Sequence, residues 1–437
     1  MKKTFILFLF ALFADVTAIG QQGNIRFVEY DLPNGLHVIL HQDHATPNVL
    51  VSLMYHVGSK NEDPERTGFA HLFEHLMFEG SKHIERGEYM KLVQGKGGAL
   101  NANTTFDRTY YYEMMPSNQL EFALWMEAER MLHGKVDTIG VDTQKGVVIE
   151  ERKQVMDNRP YGTFFEELGK RLFTVHPYRW YVTGSAEHIR NSSFDDVYNF
   201  YKTYYVPDNC VLVIAGDYEE AKAKEWVLKY FGDIPKGTIP IKRPTANEPQ
   251  MQGEVRDVIK DKIQLPGVFI AYRTPAMGTK DAYAIDLLSS ILYGGKSARL
   301  KTNVTDKGIT VESAAFYLEL EHPGSMIVLG IANGGKTADE VENVITLEIE
   351  KLANELVSED EFQMVKAAKE YEVAVSLTKL ADIAEQLANN YTYFKDAGRI
   401  NNQLENYSSL TRDDLKNVAM KYFTRNNRVV LHYLPVE

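Results

Sequence analysis

The run Gly68-Phe69-Ala70-His71-Leu72-Phe73-Glu74-His75-Leu76-Met77-Phe78 constrains this chain more than any other segment, because it sets two imidazoles and a carboxylate inside an apolar helix. At about 100° per residue, His71 and His75 share one face and Glu74 projects beside them. Two His and a Glu on a helix otherwise built from Phe and Leu need partners once that helix packs. A metal ion supplies them. Zinc at a hydrolytic centre takes three protein ligands and leaves one position for water, whose pKa falls to about 7. Glu74 is then the base for that water. The order is H-x-x-E-H, the inverse of H-E-x-x-H.

With 12 His in 437 residues, a His pair four apart arises by chance roughly 0.3 times, and an acid at the third position lowers this to roughly 0.05. His37 and His41 form such a chance pair. They lie in Leu36-His37-Val38-Ile39-Leu40-His41, a strand-like run after the turn Pro33-Asn34-Gly35, where residues four apart are too distant to share a metal. A third ligand for the helix pair must come from elsewhere. Lys145-Gly146-Val147-Val148-Ile149-Glu150-Glu151-Arg152-Lys153 offers two adjacent carboxylates entering another helix.

Taken together, these motifs resemble the pitrilysin family of inverzincins, which includes the mitochondrial processing peptidases and insulin-degrading enzyme. The resemblance extends to Leu32-Pro33-Asn34-Gly35-Leu36, Val57-Gly58-Ser59, Gly97-Gly98-Ala99-Leu100-Asn101-Ala102-Asn103-Thr104-Thr105, Asp107 and Thr109-Tyr110-Tyr111, and so spans nearly all of the chain after its first residues. It implies a zinc metalloendopeptidase with one Zn2+ per chain held by His71, His75 and a Glu some 75 residues on, which favours Glu151 over Glu150. It also implies that Asn101 and Ala102 hold substrate backbone. Without the family, Gly97-Gly98 reads as a tight turn into a strand, and Asn101 as equally able to bond only its own loop. An edge strand over residues 99–105 would suit an extended peptide.

Two departures from the family pattern carry information. Many members have a Glu where this chain has Gln144, so a charge that helps tune the site is replaced by an amide. In the second half, the family's active members carry an Arg and a Tyr, seven apart, that clamp substrate. Here those positions fall on Val304 or Thr305 and on Val311, none of which offers the charged or phenolic hydrogen bond that such chemistry uses. Arg299 is nearby, but its family equivalent is mostly structural. The resemblance therefore implies an obligate partner, a homologous subunit carrying the Arg/Tyr pair, with a homodimer as the second arrangement. It also allows a non-catalytic scaffold or substrate-holding subunit of the same fold.

The pattern Val51-Ser52-Leu53-Met54-Tyr55 followed by Phe69 to Leu76 recurs as Val268-Phe269-Ile270-Ala271-Tyr272 followed by Tyr283 to Ser290. In that copy His71, Glu74 and His75 are matched by Ile285, Leu288 and Ser289, so only the first copy can hold metal. Buried-strand runs at Val211–Gly216 and Ser325–Gly330 alternate with helical periodicity at Gln119–Leu132 and Ala338–Leu356. The expected fold is α+β, with helices on a largely antiparallel sheet in each of two homologous halves; the resemblance implies that the two halves close as a clamshell around a chamber. The proline-rich stretch from Pro235 to Pro249 places the boundary: an N-terminal half over 23–235, a linker over 236–258 and a C-terminal half over 259–437.

Lys2-Lys3 followed by Phe5 to Ala14 is a charged start and a short apolar core, which reads as a cleavable export signal over residues 1–18. The expected location is periplasmic or secreted, with no membrane anchor. The net charge of −12 argues against nucleic-acid binding. The single Cys210 excludes an intrachain disulfide and reads as a small buried residue.

Overall fold

The computed structural model describes residues 24–244 and 247–436. The export signal read over residues 1–18 lies outside them. Two sheets form the two halves. The first comprises β1 (Val28–Asp31), β2 (His37–Gln42), β3 (Asn48–Tyr55), β4 (Ala99–Thr104), β5 (Thr109–Pro116) and β6 (Cys210–Gly216), in the order β1-β2-β6-β3-β5-β4. The second comprises β7 (Val255–Asp261), β8 (Gly267–Arg273), β9 (Thr310–Leu318), β10 (Ser325–Ala332) and β11 (Arg428–Pro435), in the order β7-β11-β8-β10-β9. From β2 onward the two orders match strand for strand. Each sheet has one parallel pair, β2 with β6 and β7 with β11, and is otherwise antiparallel.

Every residue of β6 and of β8 is buried, as expected of strands covered on both faces. The helices used below are α1 (Phe69–Leu76), α2 (Leu120–His133), α3 (Thr138–Arg152), α4 (Phe164–Leu172), α5 (Lys280–Tyr293) and α6 (Leu380–Phe394). On the first sheet, α1 and α2 cover one face through Leu72, Phe73, Ala123 and Leu124 against Val51, Leu53 and Tyr111. The opposite face is covered by a helix from the second half, α6, whose Ile383, Ala384, Leu387 and Ala388 pack on Leu50, Met54, Val211 and Val213. The exchange is reciprocal. Leu168 and Leu172 of α4, in the first half, pack on Phe269, Ala271, Ile327 and Leu431 of the second sheet. Fully burying one such Leu or Ile contributes about 1.5–3 kcal/mol, so each exchanged helix fixes one half against the other.

A buried polar cluster joins the halves as well. Glu321, in the β9–β10 connection, bonds His56 Nε2 at 2.7 Å and pairs with Lys60, whose Nζ also meets Asp107 Oδ1 at 2.8 Å. Lys60 is 1% exposed and Asp107 2%, so both charges are neutralised within the interface.

The linking segment is extended but anchored. Glu248 accepts from the backbone N–H groups of Thr174, Val175 and His176 at 2.7–3.0 Å, and Arg243 bonds His56 O. Strand β7 begins at Val255, inside the stretch 236–258 read as linker. Its residues are mostly exposed at the sheet edge, so they lack the apolar alternation that announces a strand. His37 and His41 lie on β2 with structural partners: His37 bonds Asp31 at 2.8 Å and stacks on Tyr391, and His41 bonds Arg26 O at 2.8 Å. Cys210 is buried at the start of β6, where burial pushes its thiol up and keeps it protonated.

Candidate metal centre

Helix α1 starts at Gly68, whose φ of 96° lies in the left-handed region. A Cβ there would sit 2.7 Å from Ile189 Cδ1 and 2.8 Å from Thr183 O, so glycine is required both for conformation and for space. Glycine has no side chain to cap the helix. The cap comes instead from Glu62, whose carboxylate accepts from Gly68 N and Ala70 N, both at 2.9 Å. The other end of α1 is held by Tyr111 Oη, which donates to Phe73 O at 3.0 Å, and by Arg130, which donates to Met77 O at 3.1 Å. Both ends are therefore fixed by buried groups, and the rotamers that the helix presents are preorganised.

His71 and His75 meet edge to face, ring centroids 4.9 Å apart. Helix α3 packs against α1, with its first turn capped by Asp137 Oδ1 accepting from Gly140 N at 2.7 Å. Near its far end Glu151 faces both imidazoles, with Oε1 3.7 Å from His71 Nε2 and Oε2 3.2 Å from His75 Nε2. One ligand atom from each of the three lies within 4.8 Å of the others. Glu150 points elsewhere, more than half exposed and 3.6 Å from Lys153 Nζ. The helix ladder loosens into a π-turn over Lys153–Asp157 immediately after Glu151, a local irregularity common beside functional positions.

The donor set fits a zinc ion. Burial, aided by the neighbouring His75, pulls His71 down to about 4, so its ring is neutral at physiological pH and can offer a lone pair. Two imidazoles and one carboxylate, all converging, are the ligand types of a catalytic zinc site. Glu74 stands beside them and accepts from Thr104 Oγ1 at 2.7 Å. Burial raises the Glu74 carboxyl, opposed by the Thr104 bond and by His75.

Strand β4 is the last strand of its sheet, paired only with β5 among the described residues. Asn101 is exposed on it, with Oδ1 accepting from Ala102 N at 3.0 Å, and Ala102 is buried. Thr104 is on the same face as Ala102, two residues on, which is how it reaches Glu74. Gln144 does not bond the three converging residues. It donates to Glu79 Oε1, and Glu79 in turn pairs with Arg86, which also bonds Asp137 at 2.9 Å. Gln144 thus ties the segment following α1 to α3. Thr104 and Glu62 went unrecognised as supporting groups in the sequence. Thr104 carried a signal in its period-2 spacing from Ala102, whereas Glu62 carried none, because its role depends on a fold-back to the start of α1.

In the second half, Val304 is buried in the turn Lys301–Thr305, Val311 is exposed on β9, and Arg299 is held in a two-pronged pair with Glu361 at 2.8 and 3.0 Å. On α5, the counterpart of α1, Ile285 and Leu288 are fully buried and Ser289 is nearly so.

Residues 37–179 match the family model described as Insulinase (Peptidase family M16), and residues 191–369 match that described as Peptidase M16 inactive domain. A relative from Helicobacter pylori named zinc protease PqqE is 31% identical over 401 residues, covering 90% of this chain and 89% of the relative. The crystal structure of a protease from Helicobacter pylori superposes with a TM-score of 0.90 at 27% identity, over 94% of this chain and all of that one. The periplasmic protease PqqL from Escherichia coli shares the fold at a TM-score of 0.74 and 16% identity, with this chain matching 47% of its length.

Proposed function

Because this chain belongs to the insulinase peptidase family, M16, we propose that it is a zinc metalloendopeptidase acting on peptides or unfolded segments. The observation that carries this reading is the convergence of His71, His75 and Glu151, with Glu74 beside them. A zinc ion held there would polarise the scissile carbonyl and acidify a water. Glu74 is placed to accept a proton from water at this centre and would return it to the leaving amine. Its buried setting raises its proton affinity toward what a group that accepts and then donates a proton needs. Thr104 fixes Oε2 of Glu74, which leaves Oε1 for the water. The open edge of β4 receives the substrate as an added strand, with Asn101 and Ala102 contacting its backbone. Gln144 acts at one remove, through Glu79 and the segment that follows α1.

The chain is the zinc-bearing member of a pair. Neither Val304 nor Thr305, nor Val311, offers a charged or phenolic donor where a clamping Arg and Tyr are expected; the Thr305 hydroxyl is engaged with Thr310 and Ser313, and Arg299 with Glu361. A homologous subunit that supplies the pair completes the site and encloses a chamber; a homodimer is the second arrangement. The apolar start of the sequence supports export, and no helix among the described residues is long and apolar enough to cross a membrane. The test mixes the zinc-loaded chain with a peptide library, alone and with a co-purifying homologue. Cleavage only with the homologue is the expected result, and robust cleavage by the chain alone would remove the partner. A scaffold role, which the missing Arg and Tyr would also fit, has no need of metal, so one zinc bound at the His71 centre favours the enzyme.

A further inference from the structure

A second group of ligand-bearing side chains lies on α2 and on the segment after α1. Glu129 and His133 are one turn apart on α2, the spacing that also sets His71 and His75 together on α1. His83 comes from the segment that follows α1, and one ligand atom from each of His83, Glu129 and His133 lies within 4.8 Å of the others. We propose that these three residues form a second metal site, which takes a divalent transition ion of the zinc, cobalt or nickel class. Two imidazoles and a carboxylate select such ions over calcium or magnesium, which take oxygen ligands.

The site is built rather than accidental. His83 Nδ1 is 2.9 Å from Glu129 Oε1, and the ligand atoms of a tetrahedral zinc site lie about 3.3 Å apart, so a small separation admits the ion. Ser81 orients the remaining carboxylate oxygen, donating to Glu129 Oε2 at 2.6 Å, and accepts from His83 N and Ile84 N at 3.2 and 3.1 Å. That arrangement is the supporting layer that fixes ligands at metal centres. Lys82 N donates to His133 O at 3.2 Å, and Ser81 bridges Gly134, so the segment is already registered on the end of α2. Glu129 is 6% exposed, whereas the His83 side chain is about half exposed, which leaves the open coordination position toward solvent.

A third group makes the contrast. Asp339, Glu342 and His432 also lie close together, but Glu342 is paired with Arg256 at 2.5 Å and Arg428 at 3.4 Å. Two guanidinium groups already neutralise that carboxylate and repel a cation. Glu129 has no lysine or arginine paired with it among the described residues.

The test is zinc chloride titration of the full chain by calorimetry, with Glu129→Gln and the double variant His83→Ala/His133→Ala alongside. The wild-type chain is expected to take up one zinc more than the double variant. Glu129→Gln, which preserves shape, should weaken that ion at least ten-fold. Thermal melting in chelator identifies any variant that fails to fold, and cobalt(II) loading gives a second readout, a visible absorption band present in the wild type and reduced in the variants. Equal zinc uptake by all three folded proteins, with unchanged cobalt spectra, would overturn the site.

Discussion

Thr104 Oγ1 donates a 2.7 Å hydrogen bond to Glu74 Oε2, so the last residue of the edge strand β4 orients the carboxylate that projects from α1. The strand that offers a docking edge and the helix that carries the base are thereby coupled through one side chain. Thr104→Val keeps the shape and removes the donor. A hydrogen bond to a charged group is worth about 1.5–3 kcal/mol, so kcat/KM should fall about 10- to 100-fold while the melting temperature changes little. Steady-state kinetics beside a melting curve checks this, and unchanged kinetics would show that Glu74 needs no such support.

Glu151 and Glu150 are adjacent, yet only Glu151 faces the imidazoles. Glu151→Gln should weaken zinc binding at the His71 centre by more than about 100-fold, beyond the usual cost of losing an outer supporting group. Glu150→Gln should leave it unchanged. Competition against a chelator of known affinity separates the two.

Glu62 satisfies the first N–H groups of α1 from within the core. Glu62→Ala leaves Gly68 N and Ala70 N buried without acceptors, at a cost of about 1–3 kcal/mol for each unpaired group. Chemical denaturation should show that loss, accompanied by weaker zinc retention because His71 sits in the first turn of the helix.

The interface cluster makes the closed form of the two halves sensitive to acid. Burial, together with Arg243 and Lys60, lowers His56 to about 4 from an unfolded value of 6.5. Glu321 is lowered to about 2 from 4.5, because His56 and Lys60 outweigh its burial. Both folded values are depressed. The stability they contribute is therefore complete above about pH 6.5 and is lost as pH falls, first through the His56 window down to about 4 and then through the Glu321 window toward 2. His56→Gln should flatten the decline in melting temperature between pH 6.5 and 4, and an unaltered slope would assign the acid lability elsewhere.

The paired imidazoles were legible because their relation is local: four residues on a helix fix a distance whatever the rest of the fold does. Duplication was legible from Val51–Tyr55 and Val268–Tyr272, since buried strands keep their apolar runs. What the sequence could not carry was which surface each helix covers. The apolar stripe of α6 reads the same whether Leu387 packs on its own sheet or on Val213 of the other half. The same holds for Glu62, whose partner groups are fixed only once the segment before α1 folds back, and for β7, whose exposed edge residues gave no alternation.

The most direct test of the central claim is hydrolysis of an unstructured peptide library by the zinc-loaded protein, isolated with its associated subunits, compared with the same preparation carrying Glu74→Gln. Removing the base should lower the rate by about 10²- to 10⁴-fold while zinc at the His71 centre is retained. Cleavage undiminished in Glu74→Gln, or no cleavage by the wild type under any zinc or subunit condition, would contradict the assignment of His71, Glu74, His75 and Glu151 as a peptidase centre.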